Sequence, residues 1–320
     1  MEKTQRLVFA EALMELAATD ERIVVLDADV SSSTMTKLFG AKYPKRFFNF
    51  GISEANMVSA AAGLAASGFV PFVSSFALFL SMRAGDQVRA QVAYPGLNVK
   101  LAGGYAGLSD FADGASHQSV EDIAVMRAIP NMTVICPSDV VETRLAVRAA
   151  AAHAGPVFLR ISREAVGDDY GADHPFRIGR GVVLRDGRDV TLIGTGTVVR
   201  LVLQSADRLA ALGISARVIG MPTVKPLDNE LVAAAARETG ALVTVEEHSV
   251  IGGLGGAVCE AVCQAGPVPV IRVGIPDRFG ESGAYAEILK RAGIDEEHVI
   301  AAAGRAIEMK GRQTCIRSMT

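Results

Sequence analysis

Short runs of wholly apolar residues alternate along the chain with longer stretches whose apolar positions recur every three or four residues. Residues 4–19 carry the helical spacing (Leu7, Ala10, Leu13, Met14, Leu16, Ala17), and IVVLDADV at 23–30 reads as a buried strand rich in β-branched side chains. A short strand at 47–50, a small-residue helix at 54–66, a strand at 69–73 and a helix at 76–93 follow. The strand at 98–104 runs into a Gly- and Asp-rich loop, and strands at 132–139 and 156–162 flank a helix at 140–152. Strands that are apolar throughout, without alternation, are buried on both faces, as in a parallel sheet covered by helices. The βα alternation therefore predicts a doubly wound parallel sheet.

Residues 164–188 are polar and without periodicity, which places a linker over 171–188. A second βα series follows, with strands at 190–196, 216–221, 241–249 and 268–275. Its helices are expected at 198–212, 228–239 and 252–264, with a last one near 284–291. The predicted fold class is α/β, with two doubly wound domains of mostly parallel sheet at 1–170 and 189–310 and a polar tail at 311–320.

The pattern breaks most sharply between Glu54 and Arg83, where no residue is charged. The stretch is long enough to cross a bilayer, but Asn56, Gly63, Gly68, Pro71 and several serines interrupt it. It reads instead as helix, turn, buried strand and loop. Glu54 stands at its mouth after the turn at Gly51. Either it lies exposed in a first helical turn, where acids suit the helix dipole, or it is a buried carboxylate, which is costly without a partner.

Composition narrows the function classes. A net charge of −3 and a pI near 6.0 give no basic face for nucleic acid or anionic lipid. Cys136, Cys259, Cys263 and Cys315 are scattered without a metal-binding cluster, so buried thiols in a reducing compartment are expected. The N-terminal residues carry acids throughout and no apolar signal core, which fits a cytoplasmic protein. The glycine turns at 194–196 and 252–256 follow strands but lack a dinucleotide or P-loop spacing, so they read as close-packing turns.

Several short motifs, in order, carry a resemblance: ADVSSS (28–33), FGISEANM (50–57), PFVSSFALFLSMRA (71–84), DGASHQ (113–118), ISR (161–163) and VTVEEHSVIGGLGGAV (243–258). Together they resemble the C-terminal half of the transketolase family, a pyrimidine-binding domain followed by the family's C-terminal domain, over essentially the whole chain. The resemblance implies thiamine diphosphate as cofactor and transfer of a two-carbon ketol unit between phosphorylated sugars. Glu54 falls on the family's cofactor-activating glutamate, a carboxylic acid bonded to a ring nitrogen of the aminopyrimidine. Apolar neighbours such as Phe50, Met57 and Phe76 would favour its protonated form by desolvation.

The resemblance further places Phe76 and Phe79 on rings that pack on the aminopyrimidine, with both expected on one helix face. Met82 falls where the family has a third aromatic. Asp29 and Val30, in the first motif, are implied in cofactor binding. Asp113 and His117 fall on residues that meet sugar hydroxyls, and Arg6, Ser33 and Arg163 on residues that grip the substrate phosphate. Tyr105 stands where the family has a histidine; a phenol offers a phosphate only a neutral hydrogen bond. The loop 103–107 is expected to be flexible enough to present it.

The family's segment for the diphosphate and its magnesium, a GDG followed by paired asparagines, has no counterpart here. The resemblance thus implies the second subunit of a split transketolase, with Mg2+ held mainly by an N-terminal partner subunit and an α2β2 assembly. Two alternatives stay open. One is the β subunit of a 2-oxo acid dehydrogenase or a deoxyxylulose-phosphate-synthase-like enzyme; the other is a non-catalytic, partner-binding paralogue.

Overall fold

The computed structural model describes residues 3–171 and 173–317. A seven-stranded sheet has the order β12 (Thr223–Lys225), β6 (Thr133–Ile135), β7 (Val157–Arg160), β5 (Lys100–Gly104), β4 (Val70–Phe76), β2 (Ile23–Asp27), β3 (Phe47–Asn49). All of its pairs are parallel except β12 against β6. A five-stranded sheet has the order β14 (Val270–Ile275), β13 (Leu242–Ser249), β10 (Val190–Gly194), β11 (Ala216–Gly220), β9 (Val182–Arg185). It is parallel except for β9 at its edge. β1 (Lys3–Thr4) and β8 (Ala165–Val166) form a small antiparallel pair that ties the N-terminus to the start of the connecting segment. Two mostly parallel sheets are thus what the apolar strands predict.

The first sheet is buried on both faces. Met57, Val58 and Ala61 of the helix Glu54–Ala66 pack with Leu26, Val73 and Leu101 on one side. Phe9 and Leu13 of the helix Gln5–Ala17, with Ala146 and Val147 of Val140–Ala152, cover Val25, Phe72 and Leu159 on the other. The side chain of Asp139 starts Val140–Ala152 by accepting from the amide of Glu142, which satisfies one of the unpaired donors of a helix N-terminus.

The boundaries depart from expectation in three places. β9 lies inside the segment expected to be a linker, as the edge strand of the second sheet. β12 comes from the second half of the chain but completes the first sheet; a three-residue strand has too little pattern to be read from sequence. Beyond the helix Tyr285–Arg291, where no further element was expected before the polar tail at 311–320, a helix runs from Glu296 to Arg317. It packs Val299, Ala302, Ala303 and Ala306 into the second core, a narrow stripe of small residues that a polar composition conceals. Residues 318–320 of the expected tail lie outside the described residues. Among the cysteines Cys136 is buried, but Cys259 is only half-buried and Cys263 exposed, so the expectation of buried thiols holds for the first alone; the side chain of Cys315 is outside the described residues.

A buried ionic knot joins the two halves. Arg160 Nε donates to Asp122 Oδ2 at 2.8 Å, and its Nη2 donates to the carbonyls of Ser119 and Glu247. Glu247 accepts from the amide of Leu108 and the hydroxyls of Thr197 and Tyr285. Glu246 takes the amides of Leu254 and Gly255 at the start of the next helix. A Cβ on Gly253 would fall 2.0 Å from Glu246 Oε2. That turn is therefore a close-packing turn whose free amides are already bonded, as its spacing suggested.

Candidate active site

Glu54 is the first residue of its helix and only 2% exposed. Of the two readings of this residue the buried one holds. Its partners, however, are polar: Oε2 accepts from Arg83 Nη1 at 2.9 Å and Oε1 from the Ser75 hydroxyl at 3.2 Å. Polar partners thus join the apolar neighbours expected around it. Met57 is indeed fully buried and Phe50 partly so, but the charge that ends the uncharged stretch folds back onto the charge that begins it. A buried carboxylate without such a partner would be strongly unfavourable.

The geometry that returns Arg83 is local. Phe76 is the last residue of β4, not part of a helix. The chain then takes a wide π-type turn over Phe79–Arg83, closed by the amide of Ala84 donating to the carbonyl of Phe79. Wider turns of this kind often mark functional sites. Phe76 and Phe79 do share a face, stacked with centroids 5.9 Å apart, although strand end and turn, and not one helix, bring them together.

The stack continues in both directions. Tyr105 lies on Phe76 at 4.5 Å, and the Arg163 guanidinium lies 5.1 Å from the centre of the Tyr105 ring. At the other end the Arg83 guanidinium sits 4.1 Å from the centre of Phe79. The His117 ring meets Phe76 and Phe79 edge-on at 5.9 and 5.3 Å. Arg163, Tyr105, Phe76, Phe79 and Arg83 thus form one ladder of successive contacts with a cation at each end.

Tyr105 is not on a flexible loop. Gly103 and Gly104 belong to β5, and a Cβ on Gly103 would come within 2.8 Å of Phe158. Tyr105 itself is 6% exposed with φ +57°, and its hydroxyl accepts from Arg6 Nη1 at 2.9 Å. The same Arg6 nitrogen donates to the carbonyl of Ser33. Arg6, the Ser33 carbonyl, Tyr105 and Arg163 therefore lie together.

Other expected residues are placed differently. Met82 is 55% exposed and outside the ring stack. Asp113 is exposed at the turn before His117, whose Nδ1 pairs with the Ser116 hydroxyl at 2.9 Å. Asp29, at φ +65°, accepts from Asn49 Nδ2, and the amide of Val30 donates to Asp27 Oδ1. Both sit at the C-terminal end of β2, the edge where open α/β sheets present their ligand sites.

Four residues of this region are not among the site residues expected from the sequence. Arg83 carried a signal, as the charge closing the uncharged run. Ser75, Asp110 and Glu164 carried none. Asp110 is fully buried, with Oδ1 3.5 Å from Arg163 Nη1. Burial and the facing Asp113 carboxylate push its carboxyl up to about 7, against the pull of Arg163.

Residues 2–168 match the transketolase pyrimidine binding domain and residues 179–299 the transketolase C-terminal domain. The chain belongs to the transketolase family. A putative transketolase C-terminal section of Methanocaldococcus jannaschii is 46% identical over 93% of this chain and 94% of its own. A 6-deoxy-6-sulfo-D-fructose transketolase subunit of a Clostridium species is 42% identical over 95% of both. A solved split gene transketolase, described as an inactive beta4 tetramer, superposes with a TM-score of 0.89 at 44% identity, over 97% of this chain and 100% of that one. In the transketolase family a pyrimidine-binding domain implies thiamine diphosphate.

The residues fit that group. The Arg83 guanidinium, a flat cationic plane, lies on Phe79 and bonds to Glu54 at once. A plane on that ring face therefore comes within hydrogen-bonding reach of the carboxyl, as an aminopyrimidine requires. Among the described residues no group of three or more His, Cys, Asp or Glu is placed to hold a metal ion, and no helix is long and apolar enough to cross a membrane.

Proposed function

We propose that this chain is the C-terminal subunit of a split transketolase-family enzyme that moves a two-carbon ketol unit between sugars. An N-terminal subunit would bring the diphosphate and Mg2+ sites, and the assembly would be α2β2. The observation that carries this reading is the buried Glu54 carboxyl beside the Phe79 face, within a ladder that ends on Arg163. The solved relative described as an inactive beta4 tetramer supports the need for a second kind of subunit.

Thiamine diphosphate, when bound, supplies the electron sink that lets a bond beside a carbonyl be broken and remade. This chain's residues do the rest. Glu54 holds a proton at a carboxyl oxygen for the pyrimidine ring nitrogen, which requires that Arg83 release Oε2. Phe79 and Phe76 fix the ring plane. Asp113 and His117 orient sugar hydroxyls at the mouth of the site. Arg6, Ser33 and Arg163 hold the far end of the sugar, so that remote binding energy goes into positioning.

A second reading has a specific observation behind it. A 1-deoxy-D-xylulose-5-phosphate synthase of Symbiobacterium thermophilum is 43% identical, although this chain spans only 45% of its length. Co-expression with an N-terminal transketolase subunit, followed by assays of ketol transfer and of pyruvate decarboxylation, separates the two. The expected result is transfer by the complex, none by this chain alone, and no release of carbon dioxide from pyruvate. Robust transfer by the isolated chain would overturn the split-subunit reading.

A further inference from the structure

We infer that Tyr105 is a positioning residue: its ring and hydroxyl hold Arg6 and Arg163 ready for the charged far end of the sugar, and it acts through them. The inference rests on the reading of Arg6, Ser33 and Arg163 as the far-end anchors.

Both guanidinium groups sit against one ring. That of Arg163 lies 5.1 Å from the centre of the Tyr105 ring, and that of Arg6 5.6 Å. Two like charges drawn to one place repel, and the electron-rich ring face and phenol oxygen offset that repulsion. The hydroxyl accepts from Arg6 Nη1 at 2.9 Å, while Phe76 backs the ring at 4.5 Å. Tyr105 thus touches both arginines and Phe76 at once.

The arginines keep donors for a ligand. Among the described residues, only Nη1 of each guanidinium is hydrogen-bonded, from Arg6 to Tyr105 and the Ser33 carbonyl and from Arg163 to Asp110. Arg6 Nε is buried without a partner, a donor that an incoming anion satisfies. An arginine has many rotamers, and ordering it at the moment of binding weakens the complex. A grip on Nη1 removes that cost and leaves the other nitrogens for the anion.

The backbone fixes the place of the ring. Tyr105 has φ +57°, a costly state for a bulky side chain. Its neighbours hold it there: the amide of Ala106 donates to the carbonyl of Ile161, and the amide of Ile161 to the carbonyl of Gly103. Ile161 stands two residues before Arg163, so the ring and that guanidinium are set on one hydrogen-bonded frame. With 6% of it exposed, Tyr105 presents little surface to a ligand. Filling space alone requires neither this backbone state nor two cations on the ring.

The test is a double-mutant cycle between Tyr105→Phe, which removes only the oxygen, and Arg6→Met. Arg6, Ser33, Tyr105 and Arg163 all belong to this chain, so inorganic phosphate is titrated into the chain itself by calorimetry. Tyr105→Phe weakens phosphate binding about fivefold in the wild-type background, the scale of one lost hydrogen bond, and leaves it unchanged in the Arg6→Met background. In the complex with its N-terminal subunit, Tyr105→Phe raises the KM for a phosphorylated ketose by the same factor with kcat unchanged, as lost binding does.

An equal loss in both backgrounds overturns the inference, because Tyr105 then acts on the ligand or on the fold without Arg6. No loss in the wild-type background overturns it as well. A wild-type chain that takes up no phosphate overturns the anchor reading and the inference with it. If phosphate binds and no ketose reacts, ketol transfer fails and the calorimetric cycle still decides the role of Tyr105. Where Arg6→Met does not fold or binds no phosphate, Arg6→Lys, which keeps the charge without the planar fork, takes its place in the cycle.

Discussion

Glu54 and Arg83 lie 29 positions apart with no charge between them, and their side chains meet at 2.9 Å. Glu54 is 2% exposed and Arg83 45%. The pair is thus a buried carboxylate reached by a guanidinium from the rim. Removing the cation strands the anion, whereas removing both charges does not.

Arg83→Met should therefore destabilise the chain by about 1–2 kcal/mol, less than for a fully buried pair because water reaches the arginine. Adding Glu54→Gln should recover most of that loss. A double-mutant cycle by urea unfolding at pH 7 checks it. A coupling energy near zero would mean that the pair is incidental to folding.

Asp110 gives a prediction in pH. Its carboxyl is raised in the folded chain to about 7, by burial and by the facing Asp113, with Arg163 opposing. The folded state then holds a proton that the unfolded state releases near the ordinary 3.8. The resulting stabilisation is full below about pH 3.8 and lost as pH rises through about 7, at up to about 1.4 kcal/mol per pH unit. Asp110→Asn cannot lose it. The stability of the variant relative to wild type should rise between pH 4 and 7 and level off above that. Parallel stability curves would contradict the placement of Asp110.

Much of this architecture was legible from periodicity. The helix over residues 54–66 and the helix over 140–152 begin and end where their small-residue and amphipathic patterns do. β2 and β10 are apolar because helices cover both faces of their sheets. What escaped were elements held by distant partners. β12 exists because β6 pairs with it, and β9 because β11 does. The helix from Glu296, where no element was expected, buries a stripe of small residues too narrow to stand out in the pattern.

The site divides in the same way. Glu54, Phe76, Phe79, His117 and Arg163 were singled out because they lie in short motifs that keep their local spacing. Asp110 was not, because the residue it meets, Arg163, lies 53 positions away. Met82 sits within a motif, yet the wide turn carries it to the surface. Arg83 shows the middle case: its position in the pattern was visible, but the turn that folds it back on Glu54 was not.

Turnover of Glu54→Gln in the complex with its N-terminal subunit tests the central claim most directly. The amide keeps the size of the side chain and cannot share a proton. The account predicts an intact, cofactor-binding assembly whose kcat falls by about a hundredfold or more, the scale of a lost general acid–base. A fall of less than about tenfold would contradict it.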